Sequence, residues 1–164
     1  MQDAREISRA LARGVARALA QHGFATLSEV SFADGKRADV FALGRDGTLV
    51  IVEVKSSVAD FRSDRKWPEY RQWCDRLYFA VPEGFPQDLI PPECGLMQAD
   101  GFGAAILREP GEARLVAARR HALHLRFARL AAARLQRHPD PGALDWESAI
   151  ERRGRSSRSC CSPA

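Results

Sequence analysis

The chain predicts an α/β domain with a mixed central β-sheet flanked by helices, and three observations carry that expectation. A helical pattern over residues 3–21 is followed by three strand-like runs in succession. A helical segment then separates the third run from another short apolar strand, and a crossover of that kind returns the chain parallel to the strand it left. The length of 164 residues, with 45% hydrophobic and 28% charged content, suits one ordinary domain with its own core. The longest apolar run is too short to span a bilayer, and Asp3, Arg5, Glu6 and Arg9 occupy the place where a secretory signal would be apolar. A cytoplasmic protein with no membrane partner is therefore expected.

In residues 3–21, Ile7, Leu11, Val15, Ala18 and Leu19 recur at helical spacing, and Gly23 supplies a stop. Arg5, Arg9, Arg13 and Arg17 fall four apart and form a basic stripe away from that apolar face, either a solvated face or a phosphate-contacting one. Residues 25–32, 37–43 and 49–56 read as an antiparallel meander, with Gly44-Arg45-Asp46-Gly47 as the turn between the last two. Residues 58–74 change to helical character, Pro68 suiting a first turn and Tyr70, Trp73 and Cys74 sharing a face. Residues 77–81 form the parallel strand, 82–92 a proline-punctuated loop, and 95–99 with 104–108 a hairpin. The clearest helix covers 114–137, with Val116, Leu123, Phe127 and Leu130 on one stripe. A short amphipathic extension over 138–151 follows, then an Arg/Ser-rich tail, 152–164, without hydrophobic pattern and expected to be disordered. No internal repeat is visible.

Cys74, Cys94, Cys160 and Cys161 show no Cys-x-x-Cys spacing, which argues against a zinc site or a disulfide framework. The net charge of +4 is unevenly distributed: residues 1–110 carry −2 and residues 111–164 carry +6. Such asymmetry favours a polyanionic partner. An Arg-rich composition with three Lys is also what a GC-rich genome yields.

The chemistry concentrates at Leu49-Val50-Ile51-Val52-Glu53-Val54-Lys55. Residues i and i+2 of a strand project from one face, so Glu53 and Lys55 point into one small volume. A carboxylate among Val and Ile costs several kcal/mol, to order of magnitude, unless it finds a cation or water. Asp39 lies on the preceding run, and the hairpin brings it opposite Glu53. Two hard oxygen ligands and an ammonium form an arrangement that can hold Mg²⁺ and cleave a phosphodiester, and equally a plain same-face ion pair.

Asp39 followed by Glu53-Val54-Lys55 at a strand end, after one helix and before another, resembles the PD-(D/E)XK nuclease signature. More closely, Arg37-Ala38-Asp39-Val40, Glu53-Val54-Lys55-Ser56-Ser57, Asp60-Phe61, Asp64-Arg65-Lys66-Trp67-Pro68-Glu69-Tyr70, Cys74-Asp75-Arg76-Leu77-Tyr78-Phe79-Ala80 and the helix from Ala118-Arg119-Arg120 to Arg129 resemble the MmcB-like family of bacterial DNA-repair proteins. The resemblance covers roughly residues 5–137. Ala38 stands where the superfamily often has Pro. The resemblance implies a nuclease-like domain over 1–137 acting on DNA, with Mg²⁺ or Mn²⁺ held by Asp39 and Glu53, Lys55 assisting hydrolysis, and a 5′-phosphate product. It also leaves room for other DNA-repair proteins as partners and for a second reading, a DNA-binding or adaptor module that keeps the fold without turnover.

Around this centre, Glu29 reads as a further metal ligand, an outer acceptor, or a strand-surface Glu; Glu6 leans in less readily. Arg9, Arg13, Lys66, Tyr70, Arg71, Arg119, Arg120 and Arg126 are the candidates for DNA contact, with core packing the competing reading for Tyr70 and Trp73. Asp60 and Asp64 read as caps or salt-bridge partners of their helix. His121 and His124 read as surface residues, and Trp67, Trp73 and Trp146 as boundary residues that could also stack on bases.

Overall fold

The computed structural model describes residues 3–139. Along them run α1 (Ala4–Gln21), β1 (Ala25–Ser31), β2 (Arg37–Leu43), β3 (Leu49–Val54), α2 (Val58–Ser63), a 3₁₀ segment (Trp67–Trp73), β4 (Arg76–Val81), a 3₁₀ turn (Gln87–Leu89), β5 (Gly95–Ala99), β6 (Ala104–Arg108) and α3 (Ala117–Arg137). The amphipathic extension and the Arg/Ser tail, with Trp146, Cys160 and Cys161, lie outside the described residues.

The six strands form one mixed sheet in sequential order. β1–β2, β2–β3 and β5–β6 pair antiparallel, whereas β3–β4 and β4–β5 pair parallel. The three parallel strands therefore end on one edge of the sheet, at Val54, Val81 and Ala99. β2 runs the other way, and its pairing of Val40 with Val52 brings Asp39 to that same edge beside Glu53.

Each face of the sheet has its own cover. α1 lays Leu11, Val15, Ala18 and Leu19 over Val40, Val50, Val52 and Met97. On the other side Tyr70, Leu123, Phe127 and Leu130 close over Phe41, Ile51 and Phe79. Each large apolar side chain so buried contributes about 1.5–3 kcal/mol. Asp3 caps α1 by accepting from the Arg5 N–H at 3.4 Å, and Gly23 at φ +84° ends it, as expected.

Four local expectations are corrected. The run 49–56 stops at Val54 and 25–32 stops at Ser31, because Ser57 is already the N-cap of α2 and Phe32 closes a turn onto the Lys36 carbonyl. The helix expected over 58–74 is two pieces: Asp64 is extended, at φ −89° and ψ 98°, and its side chain accepts from the Lys66 N–H at 2.9 Å. The last helix begins at Ala117, since Ala113 and Leu115 donate their N–H groups to the backbone carbonyl and side chain of Asp75 and hold that stretch extended. Val116 is consequently the 70% exposed N-cap rather than part of the buried stripe.

β1 and β2 also share a phase slip. Leu27 and Val30, three residues apart, pack in the same core, and so do Ala38 and Phe41. Strict alternation would set residues of equal parity on one face, so both strands swivel between those pairs. The swivel centres on Glu29, at φ +50°, where the pairing Ser28–Val40 and Val30–Ala38 leaves Glu29 opposite Asp39.

Candidate active site

Asp39 owes its place to that slip. Strict alternation with Phe41 would direct its carboxylate into the apolar core under α3; the swivel leaves it half-buried at the edge, where Oδ2 accepts from the Val54 N–H at 2.8 Å. Glu53 reciprocates, its Oε1 accepting from the Asp39 N–H at 3.3 Å. Each carboxylate thus takes over a backbone donor of the other's strand, which fixes both side chains where the ladder ends. Among the described residues, Asp39 Oδ1 and Glu53 Oε2 accept no hydrogen bond.

Lys55 lies beyond the strand and is buried, 6% exposed. Its Nζ donates to Asp64 Oδ2 at 2.6 Å, so the expected pairing with Glu53 is not the contact it makes. The break after α2 is what turns Asp64 toward the lysine. Asp60 secures the same connection by accepting from the N–H of Ser56 at 3.0 Å and from its hydroxyl at 3.2 Å. Asp64 and Asp60 are therefore more than helix caps: they set the position of Lys55 and of the chain leaving β3.

Burial raises the Asp39 carboxyl above its ordinary range, against the Val54 N–H and the Lys55 charge that pull it down. Burial and then the neighbouring Asp39 charge push Glu53 well above the ordinary range. Burial works to lower Lys55, but the Asp64 hydrogen bond and the surrounding carboxylates hold it above its ordinary value. Two like-charged groups side by side, with the nearest cation turned to a third, leave negative charge that a bound cation would neutralise. The donors fit Mg²⁺ or Mn²⁺: both are hard oxygens, and each carboxylate keeps one oxygen without a hydrogen bond. No group of three His, Cys, Asp or Glu converges among the described residues. Asp39 and Glu53 would then supply two ligands, leaving the remaining positions to water and phosphate oxygens, as Mg²⁺ accepts.

A cleft of about 280 Å³ opens onto Asp39 and is lined by Ser8, Arg9, Ala12, Arg13, Ser28 and Glu29. The exposed stripe of α1 thus shares a cleft with Asp39 at Arg9 and Arg13, neither of which has a side-chain partner among the described residues. Glu29 lines the cleft without completing a three-ligand group, its carboxylate 3.7 Å from the Arg37 guanidinium on the surface. Lys66 is exposed beside Asp64.

The other candidates for DNA contact have internal partners. Tyr70 is a core residue, 7% exposed, and donates its hydroxyl to the Arg37 carbonyl at 2.8 Å. Arg71 faces Glu93 at 3.7 Å and the ring of Trp67. Arg119 lies over Trp73 and donates to the Gln72 carbonyl at 3.1 Å. Arg120 grips both oxygens of Asp75, and Arg126 donates to the Ser31 carbonyl. Trp73 stacks on Phe32 at 5.2 Å, and Trp67 meets Phe79 edge-on.

A larger cavity, about 500 Å³, is lined by Asp46, Thr48, Asp75, Arg120, His121 and His124. It lies at the other end of β3, toward Leu49, away from the carboxylates. His124 is bound to the Gly47 carbonyl at 2.8 Å and His121 is exposed, in keeping with the surface reading. Sequence reasoning assigned no role to Asp75; the signal was an acidic residue just ahead of the apolar run 77–81.

A family model described as "DNA repair protein MmcB-like" matches residues 1–142. A solved structure from Silicibacter pomeroyi, titled a protein of unknown function, is 45% identical with a TM-score of 0.80, over 85% of this chain and 96% of that one. No curated protein matches.

Proposed function

From the premise that the chain belongs to the MmcB-like family of DNA repair proteins, we propose that it is a metal-dependent deoxyribonuclease whose centre is Asp39, Glu53 and Lys55. The observation that carries this reading is the paired carboxylates at the sheet edge, each holding the other's strand and each keeping one oxygen for a ligand, with Asp39 lining a cleft shared with Arg9 and Arg13. Bound there, Mg²⁺ or Mn²⁺ would supply Lewis-acid polarisation of the phosphodiester and a more acidic water.

The protein's own residues do the rest. Arg9 and Arg13 hold phosphates flanking the scissile one by charge and hydrogen bonds, without reading sequence. Lys55, kept protonated by Asp64, orients the attacking water or steadies the scissile phosphate. The buried walls around Glu53 strengthen each of these interactions by excluding water. Hydrolysis of the P–O3′ bond consumes one water and leaves a 5′-phosphate and a 3′-hydroxyl.

A second reading has its own support. Lys55 is engaged with Asp64, and the described residues offer two carboxylate ligands rather than three. A DNA-binding or adaptor module that retains the fold would look the same in these respects. Cleavage of labelled single-stranded, duplex and forked DNA with Mg²⁺, Mn²⁺ or EDTA, by wild type and by an Asp39→Ala, Glu53→Ala double variant, separates the two. Metal-dependent products from wild type alone are expected. DNA bound by both proteins with no product under any metal overturns the nuclease and leaves the module.

A further inference from the structure

The tip of the β5–β6 hairpin carries the most exposed large apolar side chain among the described residues, Phe102, at 82%. Flexible tips are common places for such a ring, but this tip is stiff. Asp100 Oδ1 accepts from the N–H groups of Phe102 at 2.7 Å and Gly103 at 2.8 Å, and the Asp100 N–H donates to the Gly103 carbonyl at 3.0 Å. The tip is also seated on α1. A Cβ at Gly14 would stand 2.0 Å from the Asp100 carbonyl oxygen and 2.6 Å from that of Gly103, so only glycine permits the contact. Arg17 adds a hydrogen bond to the Gly101 carbonyl at 3.4 Å. The ring therefore stands on a platform that has already lost most of its conformational freedom.

Its position is as telling as its exposure. β5 runs parallel to β3 through β4, so the tip leaves the same sheet edge that carries Glu53 and Lys55. Two strand spacings, about 10 Å, separate the ends of β3 and β5 along that edge. Beneath the ring lies a cavity of about 650 Å³ with Leu11, Pro82, Gln98 and Ala104 in its walls. α1 joins this cavity to the carboxylate cleft: Leu11 lines one, and Ala12 and Arg13 line the other. Glu83 on the β4 rim repels phosphates, whereas Arg13 and Arg17 on α1 attract them; the Asp100 charge is held in its own turn. A polyanion would thus run along α1 and pass the ring.

We propose that Phe102 is a base-stacking residue, taking the face of an unpaired nucleobase of single-stranded DNA whose phosphates follow α1 between the carboxylate cleft and the hairpin tip. This rests on the DNA reading above and deepens it by naming the substrate class. A phenyl ring has no polar atom and offers only its face, which suits any base. In a duplex that face is already covered by the neighbouring pairs. The site therefore selects unpaired strands, as in gaps, forks and loops, without selecting sequence.

The test uses the full chain, fluorescent single-stranded and duplex oligonucleotides of one sequence, and a single strand carrying 2-aminopurine, with wild type, Phe102→Ala, Phe102→Trp and an Arg9→Ala, Arg13→Ala double variant. Thermal melts confirm that each is folded. Phe102→Ala should weaken single-strand binding by about 5- to 150-fold, the range of one lost base–aromatic stack. It should also abolish 2-aminopurine quenching and leave duplex binding unchanged, while Phe102→Trp retains both signals. Equal loss on single strand and duplex, or no loss on either while wild type binds, overturns the stacking site and leaves the DNA reading standing. Absence of DNA binding by wild type overturns both. If sedimentation shows wild type dimeric and Phe102→Ala monomeric with unchanged DNA affinity, a second copy is the occupant and the proposal fails.

Discussion

Glu53 is a buried acid that the fold by itself leaves poorly compensated. Its side chain lies at the sheet edge on a residue in register with Phe79, 4% exposed, beside a second acid and without a cation as its hydrogen-bond partner. Replacing it by Gln keeps the shape and the acceptor for the Asp39 N–H while removing the charge. Glu53→Gln should therefore raise the stability of the metal-free protein by about 1–2 kcal/mol. If the proposed site binds metal, Mg²⁺ or Mn²⁺ should raise the melting temperature of wild type by binding the native state alone, and the variant should lose that rise. A thermal melt series in EDTA and in each metal reads both effects; an unchanged metal response in the variant would remove Glu53 from the ligand set. Glu29 is the complementary case of local strain. A non-glycine residue at φ +50° costs about 1–2 kcal/mol, part of which glycine returns as unfolded-state entropy. Glu29→Gly should raise stability by up to about 1 kcal/mol in urea titration, and Glu29→Val should lower it. The sequence announced Asp39, Glu53 and Lys55, because charged residues in a Val/Ile run need a reason. It did not announce the slip that exposes Asp39, because a glutamate carries no signal for positive φ, nor the choice of Asp64 over Glu53 by Lys55, because that depends on a helix break set by tertiary contacts.

At the scale of elements, the strands and the first helix were legible to within a residue or two, but the break after α2 and the start of α3 were not. The apolar runs on either side of the Asp46-Gly47 turn fix β2 and β3 from local chemistry, whereas the start of α3 is set by Asp75, forty residues away from Leu115. Asp75 gathers four donors on one carboxylate: the N–H of Leu49 at 2.9 Å, that of Leu115 at 3.0 Å, and two nitrogens of Arg120. It ties the beginning of β3, the approach to α3 and the first turn of α3 into one knot. Asp75→Asn leaves the Arg120 charge without its partner and should cost about 3 kcal/mol, measured by denaturant unfolding. The same knot predicts a pH dependence. Burial alone would raise the Asp75 carboxyl, but the Leu49 and Leu115 N–H groups and Arg120 outweigh it and hold the folded-state value below the ordinary 3.8. The unfolded chain then binds the proton more readily, so the stabilisation is fully present above the ordinary carboxylate range and is lost as pH falls below about 3.8 toward the lower folded value. Wild type and Asp75→Asn should differ in stability at pH 7 and converge as the pH falls below about 3.8; a constant difference across that window would mean that the carboxylate charge is not what holds α3.

Over the whole molecule, the distribution of charge along the sequence and its use in the fold point to different surfaces. The basic excess falls in residues 111–164, which directs attention to the last helix. In the fold that helix uses its arginines internally: Arg120 on Asp75, Arg126 on the Ser31 carbonyl, Arg134 on the carbonyls of Ser28 and Glu29, and Arg119 on Gln72 and Trp73. Two of these hold β1 on either side of the slip opposite Asp39, so α3 supports the site from behind rather than presenting charge to a ligand. The arginines that present charge beside Asp39 are on α1, within residues 1–110, whose overall charge of −2 masks them. Arg9 and Arg13 line the cleft at Asp39 with no side-chain partner among the described residues. DNA affinity should accordingly depend on salt through α1. Each phosphate neutralised contributes about 0.7–0.9 to the slope of log K against log salt, so Arg9→Ala, Arg13→Ala should reduce that slope by about 1.5 and leave the melting temperature near wild type. Arg134→Ala, which removes an equal charge per residue from α3, should lower the melting temperature through the loss of its two carbonyl contacts while changing the slope little. Titrating one labelled oligonucleotide at several salt concentrations with these variants separates the two surfaces. A slope that falls with Arg134→Ala and holds with the α1 pair would relocate the nucleic-acid face to the last helix and leave the carboxylate cleft without its electrostatic approach.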